Sequence, residues 1–164
     1  MNTRPPAATL HVEATANVAA SADDAYHMIA DYRTSHARLL PPKYFRDLRV
    51  IEGGYGDGTL IEFDVLAFGK TMHLRATVTE PEPGRIVAET NVGDGSVTRF
   101  VVEPLTDATA RVTIATDRRL EHTGVLGWIE RAMTRSLLRD IYVTQLAKLD
   151  EQLRIDAAER APTR

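Results

Sequence analysis

Proton transfer near neutral pH would fall first to the five histidines, His11, His27, His36, His73 and His122, because imidazole titrates there without help from its surroundings. His11 and His73 occupy the polar parity of alternating segments and should face water, His27 sits off the apolar stripe of a short amphipathic helix, and His122 precedes a long helical segment. His36, in a short helical stretch placed to border the mouth of an internal cavity, is the remaining candidate general base. An exposed or capping histidine is the plainer alternative. Tyr32, Tyr44 and Tyr142 each join an apolar body to one hydroxyl, and Tyr44 or Tyr142 is the candidate acid or oxyanion donor. Core packing is the ordinary role of such a tyrosine. Gln145 interrupts an otherwise apolar row and must find a partner if buried.

Other chemistries lack their residues. There is no cysteine, which removes disulfides, thiolate nucleophiles and Cys-bound zinc, and no histidine pair has metal-ligand spacing, so neither metal nor cofactor is expected. Ser21, Ser35, Ser96 and Ser136 stand in cap, helix, turn and helix contexts without a nucleophile elbow. Glu62 and Asp64 share the wet parity of one strand, where a solvated pair needs no raised pKa. The run Gly54-Tyr55-Gly56-Asp57-Gly58 precedes a strand, so no helix terminus awaits a phosphate and a mobile hairpin at a cavity rim is expected.

A net charge of -3 from 20 basic and 23 acidic residues gives no footprint for nucleic acid or integral membrane association. Met1 to Ala8 lacks the apolar stretch of a secretory signal, so a soluble, cytoplasmic protein, monomer or homodimer, is expected.

The elements that must position these groups follow from periodicity. Leu10, Val12, Ala14, Ala16 and Val18 alternate with polar residues as a half-buried strand. Ser21 caps a short helix and a second covers Thr34 to Leu40, stopped by Pro41 and Pro42. Strands near 44–52, 59–67, 71–80, 85–92, 96–104 and 109–119 are separated by hairpin-length turns. A long helix runs from Gly124 to Ile155, with Met133, Leu137, Ile141, Gln145, Leu149 and Leu153 at every fourth position. Residues 1–8 and 157–164 read as tails around one domain, 9–156.

This order, with Pro41-Pro42-Lys43-Tyr44-Phe45 leading to Gly53-Gly54-Tyr55-Gly56-Asp57-Gly58-Thr59, and with Val78-Thr79-Glu80-Pro81-Glu82-Pro83-Gly84-Arg85, resembles the helix-grip (START-like) superfamily and its bacterial polyketide cyclase/dehydrase-like branch. The resemblance implies an α+β helix-grip fold, a curved antiparallel sheet of about seven strands around the long C-terminal helix, enclosing a pocket.

Assigning the apolar parity of each strand inward places Ile61, Phe63, Val65, Ala67, Met72, Leu74, Ala76, Val78, Ile86, Ala88, Thr90, Thr98, Phe100, Val102, Val112, Ile114 and Thr116 on the concave face, with Glu89 among the outer charges. Small inward residues, Ala14, Ala16, Ala67, Ala76 and Ala88, either leave room for a ligand or let the helix approach closely.

Binding or transport of a small hydrophobic molecule (lipid, polyketide, isoprenoid or aromatic metabolite) is the first functional expectation. A cyclase, dehydratase or isomerase is the alternative, and an interaction module without a ligand the second. Expected ligand contacts are Tyr32, His36, Tyr44, Phe63, Val65, Met72, Leu74, Phe100, Trp128, Met133, Leu137, Ile141 and Gln145. Arg131, Arg135 and Arg139 form a like-charged i+4 row, read as a solvated face or as a contact for an acidic protein or lipid headgroups.

Overall fold

The computed structural model describes residues 8–161. Its elements run β1 (Thr9–Val18), α1 (Ala22–Ala30), α2 (His36–Leu39), β2 (Phe45–Glu52), β3 (Leu60–Ala67), β4 (Lys70–Glu82), β5 (Ile86–Asn91), β6 (Val97–Thr106), β7 (Thr109–Arg119) and α3 (Gly124–Arg160). The strands form one curved sheet of seven in the order β1-β7-β6-β5-β4-β3-β2, antiparallel throughout. Hairpins explain β2 to β7; β1 closes the far edge on β7, with Val12 opposite Thr116 and Ala14 opposite Ile114. The two short helices therefore carry the chain from one sheet edge to the other.

Local chemistry sets the element ends. The Ser21 hydroxyl accepts the Asp24 backbone N–H (3.1 Å), satisfying one of the free donors at the start of α1. After α1 the Asp31 carboxylate accepts the backbone N–H groups of Arg33 (3.0 Å) and Thr34 (3.2 Å). That turn launches α2, shorter than the expected 34–40, with His36 at its first position.

The helix α3 runs closest to β1, α1 and α2, and its two halves behave differently. From Ile141 to Leu153 its inner side chains join the core with Leu10, Val12, Ile29, Val112 and Ile114. The earlier half overhangs the sheet and contributes few buried residues. Burial of large apolar side chains, each worth roughly 1.5–3 kcal/mol, is thus concentrated around β1, β7 and the second half of α3.

Several expectations need correction. The helix continues through Arg160 instead of ending near Ile155, because Arg38 grips Asp156 through two nitrogens (3.0 and 3.1 Å) and Arg160 reaches Asp24 (3.0 Å). Residues 157–160 are therefore helix, and Ala8 accepts a hydrogen bond from Leu120 (2.9 Å). The rest of the expected tails, 1–7 and 162–164, lies outside the described residues. The glycine run is not a rim hairpin: Gly56 N–H donates to Ala30 and Tyr32 N–H to Gly54, tying the run to the end of α1. At Gly54 (φ 129°) a Cβ would stand 2.1 Å from Arg33 Nε, so only glycine fits.

The strand β5 is turned over relative to expectation. Val87 pairs with Phe100 and Glu89 with Thr98, while on the other side Glu89 pairs with Val78 and Asn91 with Ala76. All those partners face inward, so Val87, Glu89 and Asn91 do too, and Ile86, Ala88 and Thr90 face outward. Apolar Ile86, Val87 and Ala88 give both parities a hydrophobic start; cross-strand register, not alternation, decides between them.

Candidate functional site

Between the first half of α3 and the sheet lies a cavity of about 740 Å3, inside the ~300–1,000 Å3 range usual for small-molecule sites. Its walls are mostly apolar, with Ile61, Phe63, Val65 and Ala76 on one side and Leu137 and Ile141 on the other. At the buried end the lining becomes polar: His36, Glu89, Thr98, Thr116, Tyr142 and Gln145.

His36 is only 2 % exposed and is held on every side. Its Nδ1 donates to the Ile29 carbonyl (2.7 Å); a carbonyl only accepts, so Nδ1 carries the hydrogen and Nε2 is the nitrogen left for other partners. Tyr32 stacks on the ring at 4.2 Å and Phe100 meets it edge-on at 5.5 Å. Nε2 stands 3.5 Å from Glu89 Oε1, and that same oxygen accepts the Tyr32 hydroxyl (2.6 Å). Burial pushes the Tyr32 phenol well above its ordinary range, and the Glu89 carboxylate adds to the effect. Tyr32 therefore donates and stays neutral, while Glu89 and His36 Nε2 present acceptor and base positions to the cavity.

Tyr142 provides the opposite function. Burial raises its phenol from an ordinary value near 10 to about 12, against the lowering effect of the Thr116 and Thr98 hydroxyls. Its hydroxyl is hydrogen-bonded to Thr116, whose oxygen lies 2.6 Å from that of Thr98. Such a chain offers a donor that never ionises at ordinary pH. Gln145 is 4 % exposed and lines the cavity, and its amide has no hydrogen-bond partner among the described residues. Its amide opens onto the cavity, where a ligand or water can hydrogen-bond to it. Among the described residues no group of three or more His, Asp or Glu is placed to hold a metal ion.

The sequence matches the family described as polyketide cyclase/dehydrase and lipid transport over residues 9–154. The chain belongs to that family. No curated protein matches it. Its fold is shared with the ZhuI aromatase/cyclase from Streptomyces sp. R1128, at 20 % identity and TM-score 0.72, covering 90 % of this chain and 94 % of that one. A START superfamily protein from Mycobacterium smegmatis is similar at 16 % identity and TM-score 0.68, covering 88 % and 97 %. Norcoclaurine synthase from Thalictrum flavum, solved with dopamine and hydroxybenzaldehyde, is similar at 16 % identity and TM-score 0.66, covering 99 % and 97 %. The likeness to each is one of fold.

Within this polyketide cyclase/dehydrase family member, His36, Phe63, Val65, Met72, Leu74, Phe100, Leu137, Ile141, Gln145 and Tyr142 are brought together around the cavity. Four expected contacts are not. Tyr32 lies behind His36. Tyr44 turns its hydroxyl to Asp140 instead of inward. Trp128 and Met133 are exposed on the outer side of α3, at 69 % and 46 %. The every-fourth row explains Met133: four residues advance a helix by about 400°, so two steps back from Ile141 swing the side chain about 80° off the inner face. Thr134, seven residues from Ile141, points inward instead and lines the cavity. Ala67 and Ala88 do not line it either, whereas Ala76 does.

Sequence reading missed Glu89, hidden by the reversed parity of β5, and His122, which lines the mouth. Glu130 accepts the Glu121 and His122 backbone N–H groups (3.2 and 3.0 Å) and contacts His122 Nδ1 (3.1 Å). Gly127 permits this fold-back, since a Cβ there would meet the His122 carbonyl oxygen at 2.4 Å. An acidic residue eight positions after a histidine in a helix lead-in was the available signal.

Proposed function

We propose that this protein binds one small, mostly apolar molecule carrying a hydroxyl or carbonyl group, with the oxygenated end against Glu89, Tyr142 and Gln145 and the apolar body between the sheet and α3. The observation that carries this reading is the cavity itself, with mostly apolar walls and a cluster of polar groups at its buried end. Apolar burial supplies affinity, at roughly 25 cal/mol per Å2, and the cavity-facing Gln145 amide supplies orientation. Polyketides, isoprenoids and aromatic metabolites all have this build. In this reading the chain works in the cytoplasm as a monomer or homodimer, without nucleic acid.

Displacement of a neutral fluorescent probe, N-phenyl-1-naphthylamine, tests it together with native mass spectrometry of freshly purified protein. One saturable site and a co-purified small molecule are expected. Absence of saturable probe binding would remove the proposal.

A second reading, a cyclase, dehydratase or isomerase, is favoured by one observation, the His36–Glu89 pair inside the cavity. Here His36 or Glu89 takes a proton from carbon next to a carbonyl and the Tyr142 hydroxyl donates to the carbonyl oxygen, so the base and the acid need not be one group. Confinement of a flexible chain in the cavity adds to the rate. Solvent deuterium exchange into a bound ketone, followed by NMR, should occur with the intact protein and fail with His36→Ala while probe binding persists. Exchange that survives in His36→Ala would take His36 out of the mechanism.

A further inference from the structure

The first turns of α3 carry an unusual surface. Val125, Leu126 and Trp128 are exposed at 75, 65 and 69 %, and Ile129 and Met133 are also open. Leu126 and Ile129 line the cavity mouth, as do Phe68 in the β3–β4 turn, 58 % exposed, and Met72. The mouth therefore carries a partial ring of large apolar side chains, interrupted by Lys70, Glu121 and His122; isolated exposed apolar residues are ordinary, whereas a cluster of this size is not.

Arg131, Arg135 and Arg139 flank that ring, forming with Trp128, Ala132 and Ser136 a shallow groove on the outer side of the helix. The acidic residues nearest them in α3 are occupied: Glu130 by His122 and Asp140 by Lys43. Among the described residues the three arginines have no ion-pair partner. Three like charges one turn apart repel mildly, so an external anion would relieve a standing cost.

We infer that the start of α3 and the β3–β4 turn form a docking face for an anionic lipid surface, with the apolar ring inserted among the acyl chains and the arginine row on the headgroups. The juxtaposition of apolar side chains with flanking unpaired arginines is that of an interfacial helix. Position selects lipid over an acidic protein: a protein seated on the ring would plug the cavity, whereas a bilayer surface would open onto it and let an apolar ligand exchange without crossing water. The net charge of -3 makes the attraction local to this face. The inference gives the cavity a source for its ligand, yet docking is measurable without any ligand.

Trp128 is the only tryptophan of the chain, so the wild-type protein reports on the face directly. Titration with phosphatidylcholine–phosphatidylglycerol vesicles should blue-shift its emission, salt should reverse the shift, and pure phosphatidylcholine should give little. The double variant Arg135→Glu/Arg139→Glu should lower vesicle partitioning by roughly tenfold or more while leaving probe binding in the cavity unchanged. No shift with anionic vesicles, or equal shifts with both kinds, would overturn the inference. So would a blue shift that appears with protein concentration alone, marking a second copy on this face, or an equal shift with polyglutamate, marking an acidic protein. Loss of vesicle binding with intact probe binding removes only the docking face; loss of probe binding with intact vesicle binding removes only the ligand reading.

Discussion

At the residue scale the site depends on a few hydrogens whose positions the surroundings dictate. The Ile29 carbonyl fixes the His36 tautomer, and the Tyr32 hydroxyl holds the Glu89 carboxylate in the cavity wall. Glu89→Gln keeps size and the Tyr32 contact but removes the negative acceptor. It should leave the fold intact and weaken a ligand hydroxyl contact by about 1.5–3 kcal/mol, the usual range for hydrogen bonds to charged groups, read by isothermal titration against the wild type. Tyr142 gives a pH prediction. Its phenol is raised from near 10 to about 12 by burial, so the unfolded chain loses this proton first as pH rises. The stability from this group is complete below pH 10 and is lost as pH climbs through about 12. Urea midpoints for Tyr142→Phe should therefore fall less between about pH 9 and about pH 11 than those of the wild type.

At the element scale, α3 changes task along its length. Its second half is a core helix and its first half a roof over the cavity, and the inner face follows 3.6-residue periodicity, not a strict fourth-residue row. Leu149→Ala, at a position 2 % exposed, should cost about 2–5 kcal/mol by urea denaturation. Met133→Ala, on the outer side, should change stability by less than about 0.5 kcal/mol. Equal losses at the two positions would mean that the helix is rotated from the orientation described. At its far end, the Arg38–Asp156 and Arg160–Asp24 pairs fasten the last turns to α2 and α1. Both pairs are partly exposed, so each contributes on the order of 0–1 kcal/mol.

At the scale of the whole molecule, the curved sheet is wider than one helix can fill. The helix lies against β1, α1 and α2, and the concave surface of β2 to β6 is left to a cavity. Ala76 is the small residue that lines that space, and enlarging it fills the space without disturbing the packed half. Ala76→Phe should abolish probe binding while lowering stability by no more than about 1–3 kcal/mol, the usual cost of overpacking. Retained probe binding in a folded Ala76→Phe protein would place the probe elsewhere.

The sequence by itself determined the order and type of the elements, because alternation marks strands, Ser21 marks a helix start and Pro41-Pro42 a stop, all through forces that act within a few residues. It also pointed to His36, through the short second helix beside the cavity, and to Gln145, through the apolar row of α3 that it interrupts, although His36 stands at the buried end and not at the mouth. Tertiary structure alone decided which parity of β5 faces inward, since Ile86-Val87-Ala88 reads apolar on both faces and only pairing with β4 and β6 chooses. That choice brought Glu89 to His36, the most consequential contact of the site. The helix ending likewise depended on long-range partners, Arg38 and Asp24, that no local pattern around Asp156 or Arg160 encodes. Charged and polar residues are where alternation misleads, because burial of a charge is settled by partners distant in the chain, not by neighbours along it.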